Sequence, residues 1–121
     1  MKILGVDHIQ FIVKDLEASI DFYQKLGFKL ERRTEHHEGS AEFRISPGGT
    51  VLEIHASEAN ENPGHDHYAV LVDDVDAAVK ELRAKGIKIS DPQLVKVTGR
   101  RITNFRDVSG FRWQLVGPKE K

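Results

Sequence analysis

From residue 7 the chain alternates. Ile9, Phe11 and Val13 fall on one side of an extended backbone, and His8, Gln10 and Ile12 fall on the other. A period of two predicts a half-buried strand over 7–13. The period then lengthens. Leu16, Ser19, Ile20, Tyr23 and Leu26 recur at helical spacing, which predicts an amphipathic helix with these residues toward a core. Asp15 stands where an N-cap carboxylate accepts orphan backbone N–H groups, and Gly27 stands where a left-handed C-terminal cap belongs. Three further extended runs follow, at about 28–34, 41–46 and 50–55.

The same grammar returns. Asp7-His8-Ile9-Gln10 lies over Asp66-His67-Tyr68-Ala69 at an offset of 67 − 8 = 59, and the offset persists without a gap through Asp15/Asp74, Ala18/Ala77 and Gly27/Gly86. The second half therefore predicts a strand over 67–72 and a helix with Val75, Ala78, Val79 and Leu82 inward. Its further strands are expected at about 87–89, 100–105 and 111–116. Glu53 falls on Gln114 at an offset of 61, so a two-residue slip is expected in the last hairpin, where 46–49 faces 106–110. The polar stretch 56–65, with Asn60, Asn62, Pro63 and Gly64, reads as a linker between modules at about 4–55 and 66–116 of one domain, 1–121.

Composition narrows the function classes. Eighteen Lys and Arg against nineteen Asp and Glu give a formal net charge of −1, with signs interspersed, which argues against a nucleic-acid partner. Cysteine is absent, so disulfides, thiolate metal ligands and cysteine nucleophiles are excluded. No run approaches the roughly 18 apolar residues of a membrane span, and the N-terminal alternation is unlike a signal peptide. A cytoplasmic protein with no membrane partner is the expectation.

The chemistry sits opposite the apolar faces. Helices must cover Ile9, Phe11 and Val13 in one half and Tyr68, Val70 and Val72 in the other. His8, Glu53, His67 and Gln114 then all point away from the helices, at equivalent places in the two halves. Gln10 and His55 share that side, and Arg44, alternating with Phe43 and Ile45, is a candidate for meeting an anion. Gln10, His55 and Arg44 are therefore the candidate substrate-binding residues. Arg100 and Arg101 precede a strand and read as one solvated face, with anion binding as the alternative. His36-His37, flanked by Glu35 and Glu38, is a poor chelate because neighbours on a strand face opposite ways, and it reads as a solvated loop.

The motifs DHIQF, VLEIH, HYAVLVDD and DVSGFRWQL, in this order over about residues 4–116, resemble the vicinal oxygen chelate superfamily: glyoxalases, bleomycin-resistance proteins, extradiol dioxygenases and epimerases. The resemblance implies an α+β fold of two tandem βαβββ modules forming a curved, cup-shaped mixed sheet with helices on the outer face. It implies a divalent metal, Zn, Ni, Co, Mn or Fe, held by His8, Glu53, His67 and Gln114, with Glu53 doubling as the catalytic proton carrier. Gln114 stands where most metal-dependent members carry Glu, which disfavours extradiol dioxygenase and fosfomycin-modifying activity. The implied activity is a glyoxalase-like lyase or isomerase that chelates vicinal oxygens of a small-molecule substrate and stabilises an enediolate. The alternative is a metal-free, bleomycin-resistance-type binding protein. A homodimer is implied in either case.

Overall fold

Two aspartates and two glycines set the ends of both helices. A computed structural model describes residues 1–35, 39–58 and 61–119, so His36-His37 lies outside the described residues. The elements run β1 (Ile3–Val13), α1 (Leu16–Lys25), β2 (Lys29–Thr34), β3 (Ser40–Arg44), β4 (Val51–Ala56), β5 (Gly64–Val72), α2 (Val75–Ala84), β6 (Gln93–Val95), β7 (Arg100–Arg106) and β8 (Arg112–Val116). This is the α+β order βαβββ, written twice.

Asp15 Oδ1 accepts from the Ala18 N–H and Asp74 Oδ1 from the Ala77 N–H, each at 3.0 Å. Both helices end in a Schellman motif. The Phe28 N–H reaches the Tyr23 carbonyl and the Gly27 N–H that of Gln24, while Ile87 and Gly86 repeat the pattern on Leu82 and Arg83. Gly27 and Gly86 take φ of 97° and 85°, a region costly for other residues. The first motif carries the hydrophobic contact that accompanies such caps: Phe28 stacks on Tyr23 with ring centroids 5.8 Å apart. Leu26, expected inward, is instead the C-cap and is 56% exposed. The chain reverses at Gly27, and Phe28 takes the place on the core that helical periodicity assigned to Leu26. Asp15→Ala and Asp74→Ala should each lower stability by about 1 kcal/mol, read by thermal denaturation.

The chain divides into two compact units. In the unit His8–Asp66 the strand order is β2-β3-β4-β1. Strands β1 and β4 run parallel, with Gln10 opposite Glu53, and β3 and β4 run antiparallel, with Glu42 opposite Glu53. One face of this sheet and α1 enclose Val13, Ile20, Ala41, Phe43, Leu52 and Ile54. In the other unit, Met1–Asp7 with the chain from His67 onward, the order is β5-β8-β7-β6. Its core is Val72, Val75, Ala78, Val79, Leu82, Ile89 and Leu115. The sheet is mixed, since β5 and β8 are parallel whereas β7 and β8 are antiparallel.

Two expectations on the second half need correction. Its second strand is β6, at Gln93–Val95, not 87–89. Ile89 is buried in the core, but the run beside it gives β7 a single backbone–backbone bond, Ser90 N–H to the Asn104 carbonyl, its other bonds to Thr103 and Asn104 running through the hydroxyls of Ser90 and Thr103. Pro92 then removes a donor where a ladder would continue. The slip also lies elsewhere. Glu42 faces Glu53 and Asn104 faces Gln114, so the offset is already 104 − 42 = 62 at β3/β7 and falls to 114 − 53 = 61 at β4/β8. The extra residues precede β7, and the last hairpin is one residue shorter.

Arg100 and Arg101 do not form one solvated face. Adjacent strand residues point oppositely, and each finds its own carboxylate. Arg100 forks onto both oxygens of Asp7 at 2.7 and 3.0 Å and also donates to the Gly117 carbonyl, while Arg101 reaches Asp76 at 2.8 Å. The partly buried Asp7 pair ties the start of β1 to β7. No helix among the described residues is long and apolar enough to cross a membrane.

Candidate functional site

The face of the His8–Asp66 unit turned away from α1 is polar for a reason of register. Residues opposite each other on paired strands point the same way, so Gln10, Glu53 and Glu42 lie side by side across β1, β4 and β3. His8 is two residues before Gln10 and shares its face. Its Nε2 lies 3.8 Å from Glu53 Oε2, with His8 8% exposed. Like charges directly across a strand pair repel. Glu42 is compensated by Arg32 at 2.7 Å, and the imidazole of His8 stands beside Glu53.

Farther along the same strands, His55 is buried to 2% exposure and held at both ring nitrogens. Its Nδ1 is 2.7 Å from Gln10 Nε2, and its Nε2 is 3.4 and 3.5 Å from the two Glu61 oxygens. Glu61 in turn accepts the Glu58 N–H at 2.8 Å. That backbone bond, more than His55, holds the Glu61 carboxyl below the ordinary carboxylate range, against a burial effect in the opposite direction. Arg44 lies on this face too, but its guanidinium already has its anion. Nε donates to Glu31 at 2.5 Å and Nη1 to the Gly49 carbonyl at 2.7 Å.

In the other unit His67 and Gln114 are both buried. The register pairs Ala69 with Gln114, so His67, two residues before Ala69, is on the same face as the amide. Gln114 Nε2 donates to Asn104 Oδ1 at 3.4 Å across β7 and β8. Engaging the NH₂ end leaves the carbonyl oxygen as the group a cation would meet. Each unit thus brings together one imidazole and one oxygen-bearing side chain. Among the described residues no three His, Asp or Glu side chains are gathered as a metal-holding group.

The donor chemistry fits a divalent ion at the His8–Glu53 pair. Two ligands held about 2.1 Å from a common ion lie about 3–4 Å apart, and 3.8 Å falls in that range. Imidazole, carboxylate and amide oxygen suit a borderline first-row metal. Sequence reasoning missed Glu61, which lies in the stretch read as linker, and Asn104, whose place opposite Gln114 requires the hairpin register. The equivalence of Glu42 and Asn104 was the available signal.

Outside this face, Asp107 closes the β7–β8 turn by accepting from Ser109 and Phe111 N–H and from the Trp113 indole at 2.9 Å. The indole bond, chiefly, lowers its pKa, with the turn N–H groups adding to it. A lowered folded pKa means a contribution present above the unfolded value, about 3.9, and lost as pH falls through the folded one. Trp113 is the only tryptophan. Its fluorescence should therefore show an acid step below about pH 3.9 that Asp107→Asn removes.

Comparison with known proteins bears on what this arrangement does. The family model for the Glyoxalase/Bleomycin resistance protein/Dioxygenase superfamily matches residues 5–115. Uncharacterized protein YwkD of Bacillus subtilis is 35% identical over 88% of this chain and 91% of its own length. Lactoylglutathione lyase of Escherichia coli O157:H7 is 29% identical over 93% of this chain and 92% of its own. Methylmalonyl-CoA epimerase of Streptomyces coelicolor, solved in complex with 2-nitronate-propionyl-CoA, superposes with a TM-score of 0.75 at 25% identity, covering 98% of this chain and 100% of that one.

Proposed function

The chain belongs to the Glyoxalase/Bleomycin resistance protein/Dioxygenase superfamily, and from that membership we propose that it is a metal-dependent lyase or isomerase moving a proton beside a carbonyl of a small substrate. The donor set is His8, Glu53, His67 and Gln114, holding Zn, Ni, Co, Mn or Fe. The observation that carries the reading is the His8–Glu53 pair at 3.8 Å, set beside a second carboxylate, Glu42, on the sheet face turned away from α1. Two related proteins support it, a lactoylglutathione lyase and a methylmalonyl-CoA epimerase.

When bound, the metal supplies Lewis acidity to two neighbouring substrate oxygens. The protein supplies the rest. Glu53 is the only carboxylate of the four, so it takes the proton from carbon and returns it. His8 stays beside it on the same strand face. Gln114 cannot carry a proton and serves as a neutral oxygen donor oriented by Asn104. One carboxylate against a +2 ion leaves the set formally at +1, which favours an anionic ligand and weakens metal retention relative to a two-carboxylate set. A homodimer belongs to the same reading.

Metal per chain, measured after purification without chelator or metal-affinity resin, tests it. A substantial fraction is expected in wild type and tighter retention in Gln114→Glu. Near-zero metal in both would favour the metal-free binding protein.

A further inference from the structure

The chain Gln10–His55–Glu61 has a direction built into it. Glu61, whose carboxyl is kept ionised at neutral pH by the Glu58 N–H, can only accept a hydrogen bond. The facing ring nitrogen of a neutral His55 is therefore the protonated one, Nε2. That leaves Nδ1 with a lone pair, which must accept, and the partner it accepts from is the Gln10 NH₂ at 2.7 Å. With His55 buried, neither group exchanges this bond for water at low cost. The amide of Gln10 is thus fixed with its NH₂ toward His55 and its carbonyl oxygen turned away, on the strand face that carries His8 and Glu53.

We propose that Glu61 and His55 are positioning residues that make Gln10 a hydrogen-bond acceptor for substrate, selecting ligands that carry a hydroxyl beside their chelating oxygen. This rests on the proposed function, because it concerns the ligand of the same face. It separates two substrate classes that membership in the family leaves open. A 2-hydroxy acid or a hemithioacetal offers a hydroxyl hydrogen to the Gln10 oxygen. A malonyl-type substrate has only acceptors at the equivalent position and would leave that oxygen without a partner. Arg44 does not supply the discrimination, since a guanidinium only donates and this one is already bound to Glu31 and the Gly49 carbonyl.

The test has two arms. In metal-free protein with ¹⁵N-labelled histidine, the His55 ring should show the Nε2–H tautomer that its contacts to Gln10 Nε2 and Glu61 require. Glu61→Ala should shift it toward a mixture, and Glu61→Asp should restore it in part. In zinc-supplemented protein, ¹H–¹⁵N titrations with lactate and propionate should favour lactate about five- to tenfold, the worth of one hydrogen bond. Gln10→Leu and Glu61→Ala should bring that ratio toward one with zinc per chain unchanged. A proton on Nδ1 in wild type would overturn the proposal, and so would lactate and propionate behaving alike, including neither binding. Should the protein take up no zinc, the metal reading fails, and the His55 tautomer decides the orientation of Gln10 without it.

Discussion

His8→Ala should strip the protein of divalent metal more thoroughly than any other single change on its polar face. Loss of a partner that merely orients a ligand costs about 10–100-fold in metal affinity, and loss of an imidazole that itself donates to the ion should exceed that. The reason is local. Glu53 sits directly across from Glu42 on β3 and Gln10 on β1, and the His8 imidazole lies 3.8 Å from its carboxylate. Without the imidazole a cation would be left with one carboxylate oxygen from this unit. His67→Ala should act in the same direction, because it leaves the amide of Gln114 as the one remaining donor of its pair. Gln10→Leu serves as the contrast: it alters the same face two residues away, yet should leave metal per chain unchanged. Elemental analysis of the purified variants, alongside circular dichroism to show that they fold, reads the result. Wild-type metal content in His8→Ala would remove the imidazole from the proposed set.

How much of this was legible beforehand follows from what each level of structure depends on. The helix ends were readable because Asp15, Asp74, Gly27 and Gly86 act through bonds within their own turns. The shared face of His8, Gln10, Glu53 and His55 was readable because alternation is strictly local and strand pairing preserves it. Local rules ran out at β6. The alternation of Ile87 and Ile89 satisfies a strand pattern, but whether a run joins a ladder depends on where its partner lies, and β7 pairs with Gln93–Val95. The partners of long side chains were equally hidden. Asp7 for Arg100 is 93 residues distant, and Glu31 for Arg44 bulges in where the β2–β3 register shifts between Leu30 and Arg32. Candidates chosen for facing inward therefore turned out to be of two kinds. Gln10 and His55 form a bonded chain on the face, and Arg44 has spent its fork on neighbours.

Phe43→Ala should be the most destabilising substitution in the His8–Asp66 unit. Phe43 is fully buried on β3, opposite Leu52 on β4 and Leu30 on β2, and Tyr23 of α1 meets its ring edge-on at 5.6 Å. It is thus one of the residues through which helix and sheet touch, in a core shared with Ile20 of α1. Truncation removes the ring from a space closed by Ile20, Leu52 and Ile54, none of which can swing in from a paired strand or a capped helix to refill it. Such Phe→Ala changes cost about 3–5 kcal/mol. Domains hold about 5–15 kcal/mol in all, so the loss is a large fraction of the total and should lower Tm by on the order of 10 °C or more. The internal control is Phe22, one residue from Tyr23 in sequence and on its edge at 5.8 Å, but 58% exposed. Composition and helix propensity treat the two phenylalanines alike, whereas burial does not. Phe22→Ala should stay within about 1 kcal/mol of wild type. Urea denaturation of both variants decides the point: equal midpoints would mean that the Phe43 ring contributes no more to holding the unit together than an exposed phenylalanine does.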